Sequence, residues 1–285
     1  MNQKWGDYAR LFETRDATAR STDRSVQFDF SKCTFLRQNA VAMLGAIARE
    51  LEARGTTVDF LWGTMRDDVR RNLNASGFAG WFGSDAAGWK GNTVPYREDA
   101  SPKDAAGILS FLKSEWIGKN WVRATRELAN AVCGKVWEIY TNSFEHAASP
   151  VGVFTCGQHY PNRQELCLTI VDLGVGIPAN VRRFLRNPGL GGDTAIEWAC
   201  QSGNSTKTGS RGLGLDLISR FVHRNGGALV IYSNDGRARF AANEANGVKF
   251  NQCPWDFRGT VVDISLKCDD KLYRLEGEGV PPISF

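Results

Sequence analysis

The sequence lacks several features that would assign a protein to a class at once. It has no run of about eighteen or more apolar residues, so we expect no membrane-spanning helix. Its N-terminus has no apolar segment of the kind that a secretory signal requires. The seven cysteines form no C-x-x-C pair and are odd in number, which favours reduced thiols in the cytoplasm over disulfides or a zinc site. The net charge of +4 comes without a run of lysines and arginines, so nucleic-acid binding is not expected.

What is present is enough apolar material for one or two α/β domains: 285 residues, of which 42% are hydrophobic. A strand at 26–36, a helix at 38–54, the strand "TVDFLW" and the helix "RDDVRRNLNASG" form a β-α-β-α unit with parallel pairing. Residues 83–103 concentrate Gly, Pro, Ser and Asp and predict a linker. We therefore expect a small α/β domain over residues 1–100, with its core at 23–83, and a second domain over 104–285.

The second domain is predicted to alternate helices and strands. Helices are expected at about 104–118 and 122–148, followed by the strands "VGVFTCG" and "ELCLTIVD". Two short helices, "PANVRRFLR" and "DTAIEWACQ", precede a Gly-rich loop and the helix "GLDLISRFVHRN". Three strands, "ALVIYSN", "RARFAAN" and "GTVVDISLKC", are expected to close the domain.

The stretch "RELANAVCGKVWEIYTNSFEHAA" is predicted to be a helix with an apolar side and a polar stripe. Glu138, Asn142 and Glu145 are spaced i, i+4, i+7 and therefore lie on one face. A face exposed to water explains such a stripe in most helices. The alternative is that the stripe faces a ligand, and the motifs downstream bear on that choice.

Two glycine-rich motifs follow. In "VDLGVGIP" a strand ends at Asp172, and Gly174 and Gly176 allow the backbone to bend and to approach a ligand. The carboxylate of Asp172 is a suitable acceptor for the exocyclic amine of adenine, although an aspartate that caps a bend is the ordinary alternative. In "NSTKTGSRGLGLDLI" three glycines lead directly into a helix N-terminus, where backbone N–H groups favour an anion. Lys207 and Arg211 could contact phosphate there, and a capped surface loop is the alternative.

The second motif is neither of two familiar phosphate-binding loops. A Walker A loop has Lys after its second Gly, whereas Gly209 is followed by Ser210. A dinucleotide-binding fingerprint needs a third Gly where this sequence has Leu217. A fourth motif, Gly259–Thr260, begins an alternating strand.

In their order and spacing the motifs resemble the GHKL superfamily of ATPases, which includes gyrase, heat-shock chaperones and histidine kinases. Glu138 and Asn142 in "EIYTNSFEHA" correspond to the N-box, "DLGVGIP" to the G1 box and "GSRGLGL" to the G2 box. Gly259–Thr260 corresponds to the last box, and the resemblance covers residues 104–268. It is closest to the anti-sigma-factor serine kinases, whose N-box also continues into Glu-His and a small residue. The resemblance implies a two-layer α/β sandwich, the Bergerat fold.

The resemblance also implies a role for each matching residue. Asp172 binds the adenine amine with Gly176 and Thr260 nearby, Asn142 holds Mg²⁺, and Glu138 acts as general base. The glycine-rich loop surrounds the phosphates. The remaining residues that the resemblance places around ATP are Gly174, Ile177, Lys207, Gly209, Arg211, Gly212, Leu213, Gly214 and Leu215.

The N-terminal region, "FDFSKCTFLRQNAVAMLGAIARELEARGTTVDF", is similar to STAS domains, the fold of anti-sigma-factor antagonists. In that family a Ser at the start of the first helix accepts phosphate from a partner kinase. The matching positions here are Gln38 and Asn39, and neither can accept a phosphoryl group. The resemblance therefore implies a docking or dimer contact rather than a phosphorylation switch.

Three functions remain open. The first is a Mg²⁺-dependent ATPase that acts as a nucleotide-driven conformational switch toward an unknown protein partner, in signalling or defence; the resemblance also allows a homodimer. The second is a serine/threonine protein kinase that acts in trans. The third is a nucleotide-binding interaction module with little turnover. Orthodox histidine autophosphorylation is not expected, because all three histidines lie inside the ATPase-like region.

Overall fold

The computed structural model describes residues 5–83, 91–201, 204, 206 and 215–278. The helices are α1 (Trp5–Arg20), α2 (Gln38–Ala53), α3 (Asp67–Ala75), α4 (Phe78–Trp81), α5 (Ala105–Phe111), α6 (Arg126–His146), α7 (Ile177–Phe184), α8 (Gly192–Cys200) and α9 (Asp216–Asn225). The strands are β1 (Ser25–Phe28), β2 (Thr57–Phe60), β3 (Thr93–Asp99), β4 (Val153–Tyr160), β5 (Glu165–Asp172), β6 (Ala228–Ala241) and β7 (Val248–Lys267). Within these ranges, every helix is too short or too polar to cross a bilayer.

The centre of the molecule is a five-stranded antiparallel sheet in the order β3-β4-β5-β7-β6. Side chains alternate between its two faces, as the period of a strand requires. One face, here called the front face, carries Leu168, Ile170 and Val262 and packs against α5, α6 and α9. The opposite face, the back face, carries residues such as Val171 and Val261. The mixed α/β architecture predicted for this part of the chain is confirmed.

The N-terminal region covers the back face. Strands β1 and β2 pair in parallel across α2, which confirms the predicted β-α-β connection. Helix α2 is buried along most of its length, because it lies between this small sheet and strands β4 and β5 of the large one. Aromatic residues of α1, Tyr8 and Phe12, pack on Tyr232 and Phe257 of the hairpin β6–β7. One hydrophobic cluster therefore joins the N-terminal region to the back face.

The predicted linker at 83–103 is wrong for residues 93–99, which form the edge strand β3. The composition of this stretch hid the strand, because Pro95 is tolerated on an edge and the register shifts between Val94 and Arg97. Tyr96 of β3 lies against Gly45 of α2, where a Cβ would clash with the tyrosine ring. The strand therefore belongs to the packed core rather than to a free connection.

Two further element predictions are corrected. The strands expected at "ALVIYSN" and "RARFAAN" are one strand, β6, because register shifts near Asn234 and Gly236 let pairing with β7 continue through the turn-like residues. The helix expected at 104–118 is α5 followed by a π-helical turn at Leu112–Trp116 and a 3-10 turn at Ile117–Lys119. The long helix expected at 122–148 is α6, which begins after Thr125, whose hydroxyl accepts the N–H of Leu128.

Candidate functional site

The front face opens into a cavity where β5 and β7 meet α6, α7 and α8. Together with its open mouth it holds about 750 Å³ of empty space. Most of the exposed surface of its wall is apolar. The wall is formed by Ile139, Asn142, Ser143, His146, Ala147, Asp172, Gly176, Ile177, Asn180, Val181, Trp198, Ala199, Asn204, Thr206, Leu215, Ile231, Thr260 and Val262.

Asp172 is the buried acid of the cavity. It is the last residue of β5 and is only 2% exposed. Its Oδ1 accepts the backbone N–H of Gly174 at 3.0 Å, and its Oδ2 accepts the hydroxyl of Ser143 at 3.0 Å. Burial raises the pKa of Asp172 to about 6, and these hydrogen bonds oppose the rise. The carboxyl group can therefore change its protonation state near neutral pH.

Ser143 is a site residue that the sequence analysis missed. Its hydroxyl lies 3.2 Å from the carbonyl oxygen of Ile139 as well as 3.0 Å from Asp172. The hydroxyl has one proton, so it donates to the carboxylate when Asp172 is ionised and is free to donate to Ile139 when Asp172 is protonated. The available signal was its position: a small polar residue directly after Asn142, on the side of α6 that carries Ile139.

The two glycines of the first motif serve packing more than ligand approach. A Cβ on Gly174 would clash with the backbone of Ala147, whose carbonyl oxygen accepts the N–H of Val175 at 2.7 Å. Gly176 has φ of +87°, and a Cβ there would clash with the side chain of Asn234. The turn is thus held against the end of α6 and against β6, and only Gly176 reaches the cavity wall.

A pair of hydroxyl groups, those of Thr260 on β7 and Ser233 on β6, lies next to this part of the cavity wall. Thr260 lies directly opposite Asp172 in the β5–β7 register. The hydroxyl of Ser233 donates to the carbonyl of Gly259 at 2.7 Å and lies 3.2 Å from that of Thr260. The backbone N–H of Ile177 donates to Ser233 at 2.8 Å, which fixes the start of α7 over the cavity. The sequence analysis named Thr260 and Ile177 but not Ser233.

The polar stripe of α6 divides between the cavity and the surface. Asn142 lines the cavity, and among the residues that the structure describes its amide has no hydrogen-bonding partner. Glu138 does not line the cavity, and its Oε1 accepts from Nζ of Lys135 at 2.6 Å. Its side chain is 41% exposed, and Glu145 is exposed as well. The helix therefore presents an amide to the cavity and a carboxylate beside it, so the role of Glu138 stays a prediction.

One side chain of the cavity wall is a suitable ligand for Mg²⁺. The amide oxygen of Asn142 is a hard ligand of the right kind, and it faces the cavity. The described part of the chain contains no group of three His, Cys, Asp or Glu that could hold a metal by itself. Mg²⁺ keeps several waters and binds phosphate oxygens, so one protein ligand suits an ion that is held together with a nucleotide.

Several predicted residues lie outside the described ranges: Lys207, Gly209, Arg211, Gly212, Leu213 and Gly214. Leu215, which follows them, is buried in the cavity wall at the start of α9. Most other wall residues were not predicted as site residues, among them His146, Asn180 and Trp198. The backbone carbonyl of His146 accepts the side-chain amide of Asn180 at 2.8 Å, and Trp198 comes from α8. A periodic pattern gives no signal for these, because they come from three different helices.

A comparison with protein families finds a match for this part of the chain. Residues 132–270 match the family described as "Histidine kinase-, DNA gyrase B-, and HSP90-like ATPase". The match covers slightly less than half of the chain and includes every residue of the cavity wall. No curated protein matches the chain. The match supports ATP binding at the level of the family, and it agrees with the GHKL superfamily that the four motifs resemble.

Proposed function

We propose that the chain binds Mg·ATP in the front-face cavity, hydrolyses it, and acts as a nucleotide-driven switch toward a protein partner in signalling or defence. The observation that carries the proposal is Asp172, a buried carboxylate that lines a cavity whose exposed surface is mostly apolar. The amine of adenine is a donor that such a carboxylate can bind, and the apolar wall suits the faces of a purine.

Asn142 is the residue best placed to hold Mg²⁺, since its free amide lies on the same wall as Ser143 and Asp172. A magnesium ion bound there would neutralise charge on the phosphates and position them. The chain's own contribution is to orient the purine through Asp172 and Thr260 and to exclude water through the apolar wall. These assignments extend the family-level conclusion to particular residues.

Whether the chain hydrolyses ATP or only binds it depends on the role of Glu138. A general base must reach the nucleophile, and Glu138 lies on the same helix one turn before Asn142. Glu138 pairs with Lys135 and does not line the cavity, which favours a second candidate, a nucleotide-binding module with little turnover. A serine/threonine kinase acting in trans requires the same base, because a partner's hydroxyl then replaces water.

The experiment combines calorimetry with product analysis. Titration of the purified chain with Mg·ATP is expected to show saturable binding, and a flat trace would overturn the proposal. Release of free phosphate identifies an ATPase, label on a serine or threonine of a partner identifies a kinase, and binding without either product identifies the module.

The base assignment has a matched control on the same helix. Glu138→Gln is expected to reduce turnover by about a hundredfold or more with little change in Mg·ATP affinity. Glu145→Gln changes the same kind of side chain two turns along the stripe and is expected to leave turnover near the wild-type rate. Equal turnover in the two variants would show that Glu138 is not the base.

We also propose a docking role for the STAS-like region, within this chain. The positions that match the phosphate acceptor, Gln38 and Asn39, are 2% and 3% exposed and face the back of the sheet. The amide oxygen of Gln38 accepts the hydroxyl of Tyr160 at 2.8 Å. A partner kinase could not reach these side chains, so they serve the contact between the region and the sheet.

A further inference from the structure

A second concave site lies on the other side of α7 from the nucleotide cavity. Four arginines and one aspartate carry its charge, a net formal charge of +3 on a chain whose total is +4. The arginines come from separate places, α7 and the residues after it on one side and β7 on the other. Convergence of like charges on one concavity opposes folding unless something of opposite charge is bound. The arginines are Arg182, Arg183, Arg186 and Arg258.

One of these arginines is structural. Arg182 donates through Nη2 to both carboxylate oxygens of Asp235, at 2.8 and 2.7 Å, and through Nε to the carbonyl of Leu190 at 2.7 Å. This ion pair ties α7 to β6. The charge of Arg182 is balanced by Asp235.

The other three arginines are available to a ligand. Arg183, Arg186 and Arg258 are exposed, and within the described residues none has a carboxylate within ion-pair distance. The contact of Arg183 with Asn180 is long, at 3.5 Å. The wall aspartate, Asp256, forms no ion pair with them in the described part of the chain. Three free guanidinium groups around one concavity form a site for carboxylate or phosphate groups.

The occupant follows from the charge and the size of the site. A nucleic-acid backbone would require an extended basic surface, whereas this site is compact. The geometry points to an acidic segment of a protein partner, with carboxylates on Arg183, Arg186 and Arg258.

The site shares a wall with the nucleotide cavity. Val175 lines the arginine site and Gly176, the next residue, lines the cavity. Asn234 lines the arginine site, and its side chain accepts the N–H of Ala179 at 3.2 Å. The inference deepens the proposed function, on which its regulatory meaning rests, because it gives the chemistry of the switch's partner.

The test measures peptide binding directly. The probe is a fluorescently labelled peptide of alternating glutamate and leucine, and its anisotropy is followed as the full chain is added. The wild type is expected to bind it, and R183E/R186E/R258E to bind about tenfold or more weakly. A peptide with glutamine in place of glutamate is expected not to bind. Labelled oligothymidine serves as the nucleic-acid probe.

The matched control reverses three other exposed arginines, in R10E/R24E/R71E, and so changes the net charge by the same amount. It is expected to bind the acidic peptide within about twofold of the wild type. Thermal unfolding of each variant checks folding, and R183Q/R186Q/R258Q replaces the reversal if that variant unfolds. Mg·ATP calorimetry on the same proteins reports on the nucleotide cavity separately, so loss of one binding event is distinguishable from loss of the other.

Three results would overturn the inference: no binding of the acidic peptide by the wild type, equal weakening in the two triple variants, or tighter binding of oligothymidine through the same arginines. The inference is supported if the acidic peptide binds more weakly to R183E/R186E/R258E only, with the Mg·ATP affinity unchanged.

Discussion

The two faces of the central sheet each bury an aspartate, and the two aspartates have different surroundings. Asp172, on the front face, is 2% exposed, and Asp263, on the back face, is 3% exposed. Asp263 accepts the hydroxyl of Tyr8 at 2.8 Å on Oδ2 and that of Thr169 at 2.6 Å on Oδ1. The amide of Gln38 lies 3.4 Å from the same Oδ1.

The two faces of the sheet therefore have different roles: the back face carries a structural aspartate, and the front face carries one that lines a cavity. The contacts of Asp263 come from α1, α2 and β5, so its carboxylate joins the N-terminal region to the sheet. Asp172 has donors in Gly174, Ser143 and Thr260, but it also lines an open cavity, so a ligand can reach its carboxylate. Since both carboxylates are buried and have several protein donors, the presence of a cavity distinguishes the two roles.

The largest expected effect is on Mg·ATP binding, when Asp172 on the front face is replaced. Asp172→Asn replaces an acceptor by an amide and is expected to weaken Mg·ATP binding by about a hundredfold, or ~3 kcal/mol, with little loss of stability. Asp263→Asn is the matched control and is expected to keep the Mg·ATP affinity while lowering the free energy of unfolding. Calorimetry and urea unfolding measure the two quantities, and equal affinity loss in both variants would contradict the separation.

The second prediction concerns pH. The pKa of Asp172 is about 6 in the folded chain, above its ordinary value, so between the two values the folded state binds more protons than the unfolded state. The free energy of unfolding should therefore fall as the pH rises from about 4 to about 6, by at most ~3 kcal/mol. Urea unfolding of the wild type and Asp172→Asn across this range isolates the effect in their difference. Parallel curves would be evidence against the raised pKa.

The third prediction concerns the hydrogen bond between Tyr8 and Asp263 on the back face. Tyr8→Phe removes one hydrogen bond to Asp263 in a fully buried position and is expected to lower the free energy of unfolding by about 2 kcal/mol. Tyr273→Phe is the control, since Tyr273 also donates to an aspartate, Asp269, that is 30% exposed. Its expected cost is smaller, about 0.5 kcal/mol. A change in Mg·ATP affinity for Tyr8→Phe would show that the faces are coupled.

The smallest expected effect is a change in the pKa of Asp172 when Ser143 is replaced. Ser143→Ala removes a donor to ionised Asp172 and is expected to raise its pKa further, by about 0.7 unit, which corresponds to ~1 kcal/mol. The midpoint of the pH dependence above should move upward accordingly. Ser219→Ala is the control, because that hydroxyl donates only to the helix carbonyl of Asp216 among the described contacts. An unmoved midpoint in Ser143→Ala would show that the serine does not act on Asp172.

Patterns in the sequence predicted several residues of the candidate site, but they did not show which side of helix α6 faces the cavity. Asp172, Asn142 and Thr260 were identified from spacing and resemblance, and the structure brings them to one cavity. Glu138 was grouped with Asn142 by helical period, yet the two differ by about forty degrees around the helix axis, enough to place one at the cavity and the other at the surface. The helical period shows which residues share a face of α6, but not which of them another element covers. The elements that pack on the helix are distant in sequence, so the period contains no information about them.

The amino-acid sequence by itself determined the order of the motifs, the positions of most helices and strands, and the parallel β-α-β unit, because each of these depends on neighbouring residues. The packing of the N-terminal region on the back of the sheet, the inclusion of residues 93–99 as its edge strand, and the pairing of Ser143 with Asp172 were decided by the tertiary structure. These features join residues far apart along the chain, and their free energy comes from contacts that no local pattern contains.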